Sequence, residues 1–169
     1  ILVNNAGIMR SAALVNPLSR GDKRHPRDLW HQVIDVNLNS AFYLGSTIAD
    51  HMLQMRIKGV IINVSSISAA GNAGQSAYSA SKAAVEALTA VWAKELAPFG
   101  IRSAAVAPGF TKTKGANEAL EKEYVEDWIS RTPLRRSGEI HEVVDAILFC
   151  IKNDFFNGRV LSLDGGLVI

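Results

Sequence analysis

Four short apolar segments recur along the chain with longer helical patterns between them, and this alternation constrains the fold more than any other feature. The segments are residues 1–3, 60–64, 102–106 and 159–163. The second, within GVIINVSS, is apolar at consecutive positions, as expected for a strand that is covered on both faces. Strands that alternate with helices are typical of βαβ units, so we predict an α/β fold around a parallel sheet.

The helical patterns lie between and after these strands. They cover residues 27–36, 40–57, 78–97 and 139–152, and we predict loops at 17–28 and 108–121. The pattern at 78–97 is the most regular, because Val85, Leu88 and Trp92 follow a 3.6-residue period before Pro98. We expect Gly59 to stop the second helix and Ser137 to cap the last one.

Composition excludes several classes of protein. The chain has 169 residues, of which 48% are hydrophobic and 20% charged, so we predict one globular domain over residues 1–169. A formal charge of +2 gives no electrostatic signature of a nucleic-acid or membrane partner. The sequence has no apolar run long enough to cross a bilayer. Cys150 is the only cysteine and cannot form an intrachain disulfide, so we expect a reducing compartment, the cytoplasm.

Metal and hydrolase chemistry is not indicated. The four histidines lack the i, i+4 spacing of a metal site, one cysteine cannot build a thiolate zinc site, and no G-x-S-x-G elbow occurs. A basic cluster in the first loop could contact a phosphate or coenzyme, but a solvated loop is the better interpretation. Its members are Arg20, Lys23, Arg24, His25 and Arg27.

The segment YSASK at 78–82 carries the first chemical signal. Tyr78 and Lys82 are four residues apart at the start of a helix, so both side chains leave the same face. A nearby cation favours the phenolate, so Lys82 is expected to lower the pKa of Tyr78. Tyr78 could then exchange a proton with an alcohol or carbonyl oxygen.

Other motifs fall where strands end. NNAG at 4–7, NVSS at 63–66 and PGFTKT at 108–113 each end or follow a predicted strand. In an open parallel sheet, ligands bind at the carboxyl ends of the strands. We therefore expect these motifs and the Tyr78 helix to form one site.

At these residues the chain resembles the short-chain dehydrogenase/reductase family, from Ile1 to Ile169 and in the expected order. The resemblance implies a Rossmann-type, doubly wound parallel sheet and a nicotinamide cofactor, NAD or NADP. Tyr78 would be the general acid/base and Lys82 its partner, which also binds the nicotinamide ribose. Asn37 would help to hold a water in the proton relay, and Ser66 would bind the substrate oxygen. The cofactor contacts it implies, besides Tyr78 and Lys82, are Asn4, Ala6, Gly7, Pro108, Gly109 and Thr113.

The serine has two candidate positions. The strand register of NVSS favours Ser66, whereas counting back from Tyr78 by the family's common spacing gives Ser65. Successive strand side chains point to opposite faces, so only one of the two can face a substrate. A loop tolerates a deletion better than a strand tolerates a register slip, so we predict Ser66.

The resemblance also implies what this chain acts on and how it assembles. FFNGRVLSLDGG at 155–166, GVIIN and GQSAYSASK are similar to type 2 3-hydroxyacyl-CoA dehydrogenases, which implies a 3-hydroxyacyl or 3-oxoacyl thioester substrate. Helices 40–57 and 78–97 would form the contact of a homodimer or homotetramer.

The family's N-terminal βαβαβ half, with its glycine-rich phosphate loop, does not occur in these 169 residues. We expect the sequence to be part of a normal polypeptide. The alternative is a noncatalytic fragment or binding scaffold.

Overall fold

The computed structural model describes residues 1–112 and 122–169, and the side chains of residues 122–124 are not considered. Its strands are β1 (Leu2–Asn4), β2 (Gly59–Val64), β3 (Ile101–Pro108) and β4 (Val160–Leu163). They form one parallel sheet in the order β1-β2-β3-β4. The parallel α/β prediction is confirmed, including the pairing of Val60 with Arg102 and of Val64 with Val106.

The helices are α1 (Arg27–Ile34), α2 (Ser40–Gln54), α3 (Ser76–Leu96), α4 (Lys122–Arg131) and α5 (Ile140–Lys152). One π-helical turn, Asp35–Asn39, joins α1 to α2. Short 3₁₀ turns lie at Ile67–Ala70, after β2, and at Ala97–Phe99, after α3.

Helices cover both faces of the sheet. On one face, Val60 and Ile62 of β2 and Val106 of β3 pack with Ala146 and Cys150 of α5. On the other face, Ile61 packs with Ala49 of α2 and Trp92 of α3. Burial on both faces explains why β2 and β3 are apolar at consecutive positions.

Helices α2 and α3 pack closely because Gly45 has no side chain. A Cβ at Gly45 would lie 2.6 Å from Cη2 of Trp92, too close for any other residue at this position. This contact holds α3 against α2, and α3 is the helix that carries Tyr78 and Lys82.

Two predictions of helix boundaries were wrong. The second helix ends at Gln54, and Gly59 begins β2 instead of ending that helix. The cap of α5 is Glu139, not Ser137, because Glu139 and Glu142 form a reciprocal capping box. Helix α4, which follows the predicted 108–121 loop, is an element that the sequence analysis did not identify.

The basic loop is exposed. Arg24 forms an ion pair with Asp22, with 2.7 Å between the guanidinium nitrogen and the carboxylate oxygen. This contact lies within the loop itself and agrees with the interpretation of a solvated segment.

Candidate active site

The carboxyl ends of β1, β2 and β3 surround a cleft of about 650 Å³. Gly7 lies on the segment after β1, Ser66 follows β2, and Gly109 follows β3. Tyr78 and Lys82 reach the same cleft from the first turns of α3. A parallel sheet brings its carboxyl ends to one edge, which is why motifs far apart in sequence meet here.

The Ser66 hydroxyl lies near enough to the Tyr78 hydroxyl to influence its pKa. Burial raises the pKa of the Tyr78 phenol above its usual value, and the interaction with Ser66 offsets part of that rise. The expected lowering by Lys82 is therefore not what the structure shows. Burial is the larger effect, and it favours the neutral phenol over the phenolate.

Lys82 is 4% exposed, and burial lowers the pKa of its ammonium to about 8. Its Nζ donates a hydrogen bond to the carbonyl oxygen of Val64 at 2.7 Å and lies 5.7 Å from the centre of the Tyr78 ring. An ammonium has three donors. The hydrogen bond to Val64 uses one of them, while the residue lines the cleft beside Tyr78.

Asn37 is buried in the π-helical turn between α1 and α2. Its side chain bonds both backbone groups of Ile8: Oδ1 accepts from the N–H at 2.8 Å, and Nδ2 donates to the carbonyl at 3.0 Å. Nδ2 also donates to Oγ of Ser81 at 3.2 Å. The side chain thus fixes the segment after β1 against α3, while the wider π turn accommodates it.

The two candidate serines point in different directions. Oγ of Ser65 is buried and donates to the Glu86 carboxylate at 2.7 Å. Both serines border the cleft, but only Ser66 also lines a smaller cleft beside Tyr78, and its Oγ accepts a hydrogen bond from the backbone N–H of Ser68 at 3.2 Å. This geometry supports Ser66 as the residue that can meet a substrate.

Within the NNAG segment, Gly7 is the predicted cofactor residue that reaches the cleft. A Cβ at Gly7 would lie 3.4 Å from Nζ of Lys82 and 3.5 Å from Oδ1 of Asn37, so the backbone lies directly against both groups. Asn4 instead donates to Oδ1 of Asn63 at 2.8 Å, and Ala6 is exposed outside the cleft lining.

Pro108 and Gly109 form the wall at the end of β3. The Gly109 N–H donates to the Leu163 carbonyl at 2.8 Å, and a Cβ there would lie 2.8 Å from the Cα of Asp164. Only glycine allows this close approach of the two strand ends. Thr113, the remaining predicted cofactor contact, lies outside the described residues.

Sequence reasoning missed a second group beside Tyr78. Asn72, Gln75 and Trp128 line a smaller cleft that Ser66 and Tyr78 share. Gln75 lies one helical turn before Tyr78, a spacing that could have drawn attention to it.

Two features are absent from the residues that the structure describes, 1–112 and 122–169. No helix there is both long enough and apolar enough to cross a membrane. No group of three His, Cys, Asp or Glu side chains in those ranges is arranged to hold a metal ion.

Comparison with known proteins extends these observations. A family model described as enoyl-(acyl carrier protein) reductase matches residues 1–168. The 3-oxoacyl-[acyl-carrier-protein] reductase FabG of Thermotoga maritima is 44% identical over 172 aligned positions, which cover 100% of this chain and 66% of that protein. Gluconate 5-dehydrogenase of Gluconobacter oxydans is 35% identical over 173 positions, covering 100% of this chain and 64% of that protein.

A solved structure has the same fold. It is a 4-hydroxyisoleucine dehydrogenase complexed with NADH, with a TM-score of 0.83 and 30% identity, covering 98% of this chain and 67% of that one. The chain thus spans 64–66% of the length of the two curated relatives. Because the family model and these relatives match along almost all of its residues, this chain belongs to the short-chain dehydrogenase/reductase family.

Proposed function

We propose that this protein is an NAD(P)-dependent oxidoreductase that interconverts a secondary alcohol and a ketone. The observation that carries the proposal is the grouping of Ser66, Tyr78 and Lys82 around one cleft, at the edge of the sheet where ligands bind. When bound, the nicotinamide cofactor supplies or accepts the hydride.

Ser66 and Tyr78 handle the substrate oxygen in this proposal. The Ser66 hydroxyl holds that oxygen, and the Tyr78 hydroxyl gives it a proton during ketone reduction and takes the proton back during alcohol oxidation. A raised pKa suits the reductive direction, because it keeps the phenol protonated until negative charge develops on the substrate oxygen.

Lys82 and Gly7 have the geometry to receive the nicotinamide half of a dinucleotide. A Cβ at Gly7 would lie 3.4 Å from Nζ of Lys82, so the Gly7 backbone and the lysine stand side by side where a ligand would approach. Lys82 donates one hydrogen bond to Val64, and its remaining donors suit ribose hydroxyl groups. Pro108 and Gly109 would close the opposite wall of the cleft.

We propose a 3-oxoacyl or 3-hydroxyacyl thioester as the first substrate class to test. The Thermotoga maritima relative is named as a 3-oxoacyl-[acyl-carrier-protein] reductase, and the resemblance of 155–166 to type 2 3-hydroxyacyl-CoA dehydrogenases favours the same chemistry. Hydroxy acids are a second class, because the Gluconobacter oxydans relative is named as a gluconate 5-dehydrogenase.

We also propose that the protein assembles through α2 and α3. Helix α2 leaves Phe42, Tyr43 and Leu44 exposed by 46%, 64% and 50%, and α3 leaves Val91 exposed by 45%. Apolar side chains on two adjacent helices suit an interface between copies. Because Tyr78 starts α3, such an interface would also hold the catalytic helix. We further propose a reducing compartment, the cytoplasm, because these 169 residues hold a single cysteine and cannot form an internal disulfide.

The test is cofactor-linked turnover by the full-length protein. NADH and NADPH are each offered with acetoacetyl-CoA and with 5-keto-gluconate, and oxidation of the cofactor is followed by absorbance. We expect ketone-dependent oxidation of one cofactor and a clear preference between the two ketones. No turnover with either cofactor would instead favour a noncatalytic scaffold.

A further inference from the structure

A second cleft, of about 150 Å³, adjoins the reacting groups. Ser66 and Tyr78 form one side of it, and Phe110 and Trp128 contribute aromatic surface to the rest. A cavity of about this volume holds a molecule the size of benzene. The cleft therefore has room only for the few substrate atoms that lie next to the reacting carbon at Tyr78.

Two buried amide atoms in the wall of this cleft have no hydrogen-bond partner among residues 1–112 and 122–169. They are Oε1 of Gln75, an acceptor, and Nδ2 of Asn72, a donor. Gln75 is 4% exposed, and its Nε2 donates to the thioether sulfur of Met9 at 3.4 Å, which is a weak acceptor. Unpaired buried polar atoms are costly, so a ligand group that paired with these two atoms would relieve that cost.

The backbone around Gln75 is already fixed without help from its side chain. The Gln75 N–H donates to the Asn72 carbonyl at 3.0 Å, and the Gln75 carbonyl accepts from Ser79 at 2.8 Å. The side-chain amide of Gln75 is therefore attached to a backbone that is held in place, one helical turn before Tyr78. Met9 is 43% exposed and flexible, so it can move away from the amide when a ligand enters.

We propose that Asn72 and Gln75 recognise a second oxygen of the substrate, a hydroxyl group within about four bonds of the reacting carbon, as the small cleft requires. A hydroxyl oxygen accepts a hydrogen bond from Asn72 and donates one to Gln75, so it satisfies both unpaired atoms. A carbonyl oxygen only accepts and would satisfy Asn72 alone. The inference rests on the proposed function, since it assigns a preference among ketone and alcohol substrates.

The test compares three ketones: 1-hydroxy-2-butanone, 2-butanone and an S-ethyl 3-oxobutanethioate. We expect the wild-type kcat/KM for the hydroxyketone to exceed that for 2-butanone at least tenfold, because a site built for a hydroxyl rejects analogues that lack it. Gln75→Leu should bring this ratio close to one. Asn72→Leu should lower kcat/KM for both the hydroxyketone and the thioester relative to 2-butanone.

The matched control is Gln54→Leu, the same change at an exposed glutamine near the end of α2, which should keep the wild-type ratio. Each ratio is measured within one protein, so the fraction of folded enzyme cancels. A wild-type ratio near one, or a Gln75→Leu ratio equal to that of the wild type, overturns this inference and leaves the proposed function standing. Failure to turn over any ketone overturns both.

Discussion

Replacing Lys82 with methionine should make the protein more stable at neutral pH while removing its activity. Lys82 is 4% exposed, and burial lowers the pKa of its ammonium from 10.5 to about 8. A shift of this size corresponds to a cost of about 3 kcal/mol for keeping the charged group in the folded state. Methionine has a similar length and carries no charge, so Lys82→Met removes that cost.

The sign of the pH dependence follows from the lowered pKa. Below about pH 8 the lysine is protonated in both the folded and unfolded states, so the wild type bears the whole cost. As the pH rises through this range the folded lysine loses its proton first, and the cost disappears as the pH approaches 10.5. The stability advantage of Lys82→Met should therefore shrink by about 2 kcal/mol between pH 7 and pH 10.

A smaller loss opposes this gain at every pH. The variant loses the 2.7 Å hydrogen bond to the Val64 carbonyl, which contributes about 1–2 kcal/mol. We therefore expect a net stabilisation of about 1–2 kcal/mol at pH 7 and none, or a slight destabilisation, at pH 10.

The assay is urea denaturation of both proteins at several pH values, followed by circular dichroism. Lys94→Met is the matched control, because Lys94 is exposed on the same helix, and its stability difference should stay constant across this range. A Lys82→Met protein that is less stable than the wild type at pH 7, by an amount that does not change with pH, would refute the reasoning.

Three other predictions concern the site and the assembly. Ser66→Ala should lower kcat by about 10²–10³-fold in steady-state assays. Ser65→Ala should keep its activity but lose about 1 kcal/mol of stability, because it loses the hydrogen bond to Glu86. The reverse pattern would mean that Ser65 is the substrate-binding serine. Gly109→Ala should destabilise the protein by about 1–3 kcal/mol in denaturation experiments, because its Cβ would meet the Asp164 backbone at 2.8 Å; an unchanged midpoint would contradict this. Leu44→Glu should convert an oligomer to monomer in sedimentation velocity, and an unchanged sedimentation coefficient would place the interface elsewhere.

The positions and parallel direction of the strands followed from the sequence, because strands alternate with helices and the two central strands are apolar at consecutive positions. Each predicted strand lies within two residues of the observed one at either end. Helix ends were harder to predict. Ser137 and Glu139 are both plausible caps in a sequence, and the reciprocal hydrogen bonds of Glu139 with Glu142 decide between them only in three dimensions.

The site was predictable where a motif fixes a position and unpredictable where depth of burial matters. The spacing of Tyr78 and Lys82 correctly indicated that both side chains reach one cleft. It could not indicate that burial would outweigh the lysine and raise the pKa of Tyr78. The amide atoms of Asn72 and Gln75 that lack partners among residues 1–112 and 122–169 are visible only in three dimensions, because no residue pattern shows which contacts a side chain will make.

The central claim is that the Tyr78 hydroxyl moves the proton while Ser66 holds the substrate oxygen. Its most direct test is Tyr78→Phe, which removes one oxygen atom and keeps the ring that packs near Lys82. With the ketone and nicotinamide cofactor that the wild type uses best, we expect kcat to fall by about 10²–10⁴-fold. The denaturation midpoint should remain close to that of the wild type. A Tyr78→Phe protein that retains full turnover would contradict the account.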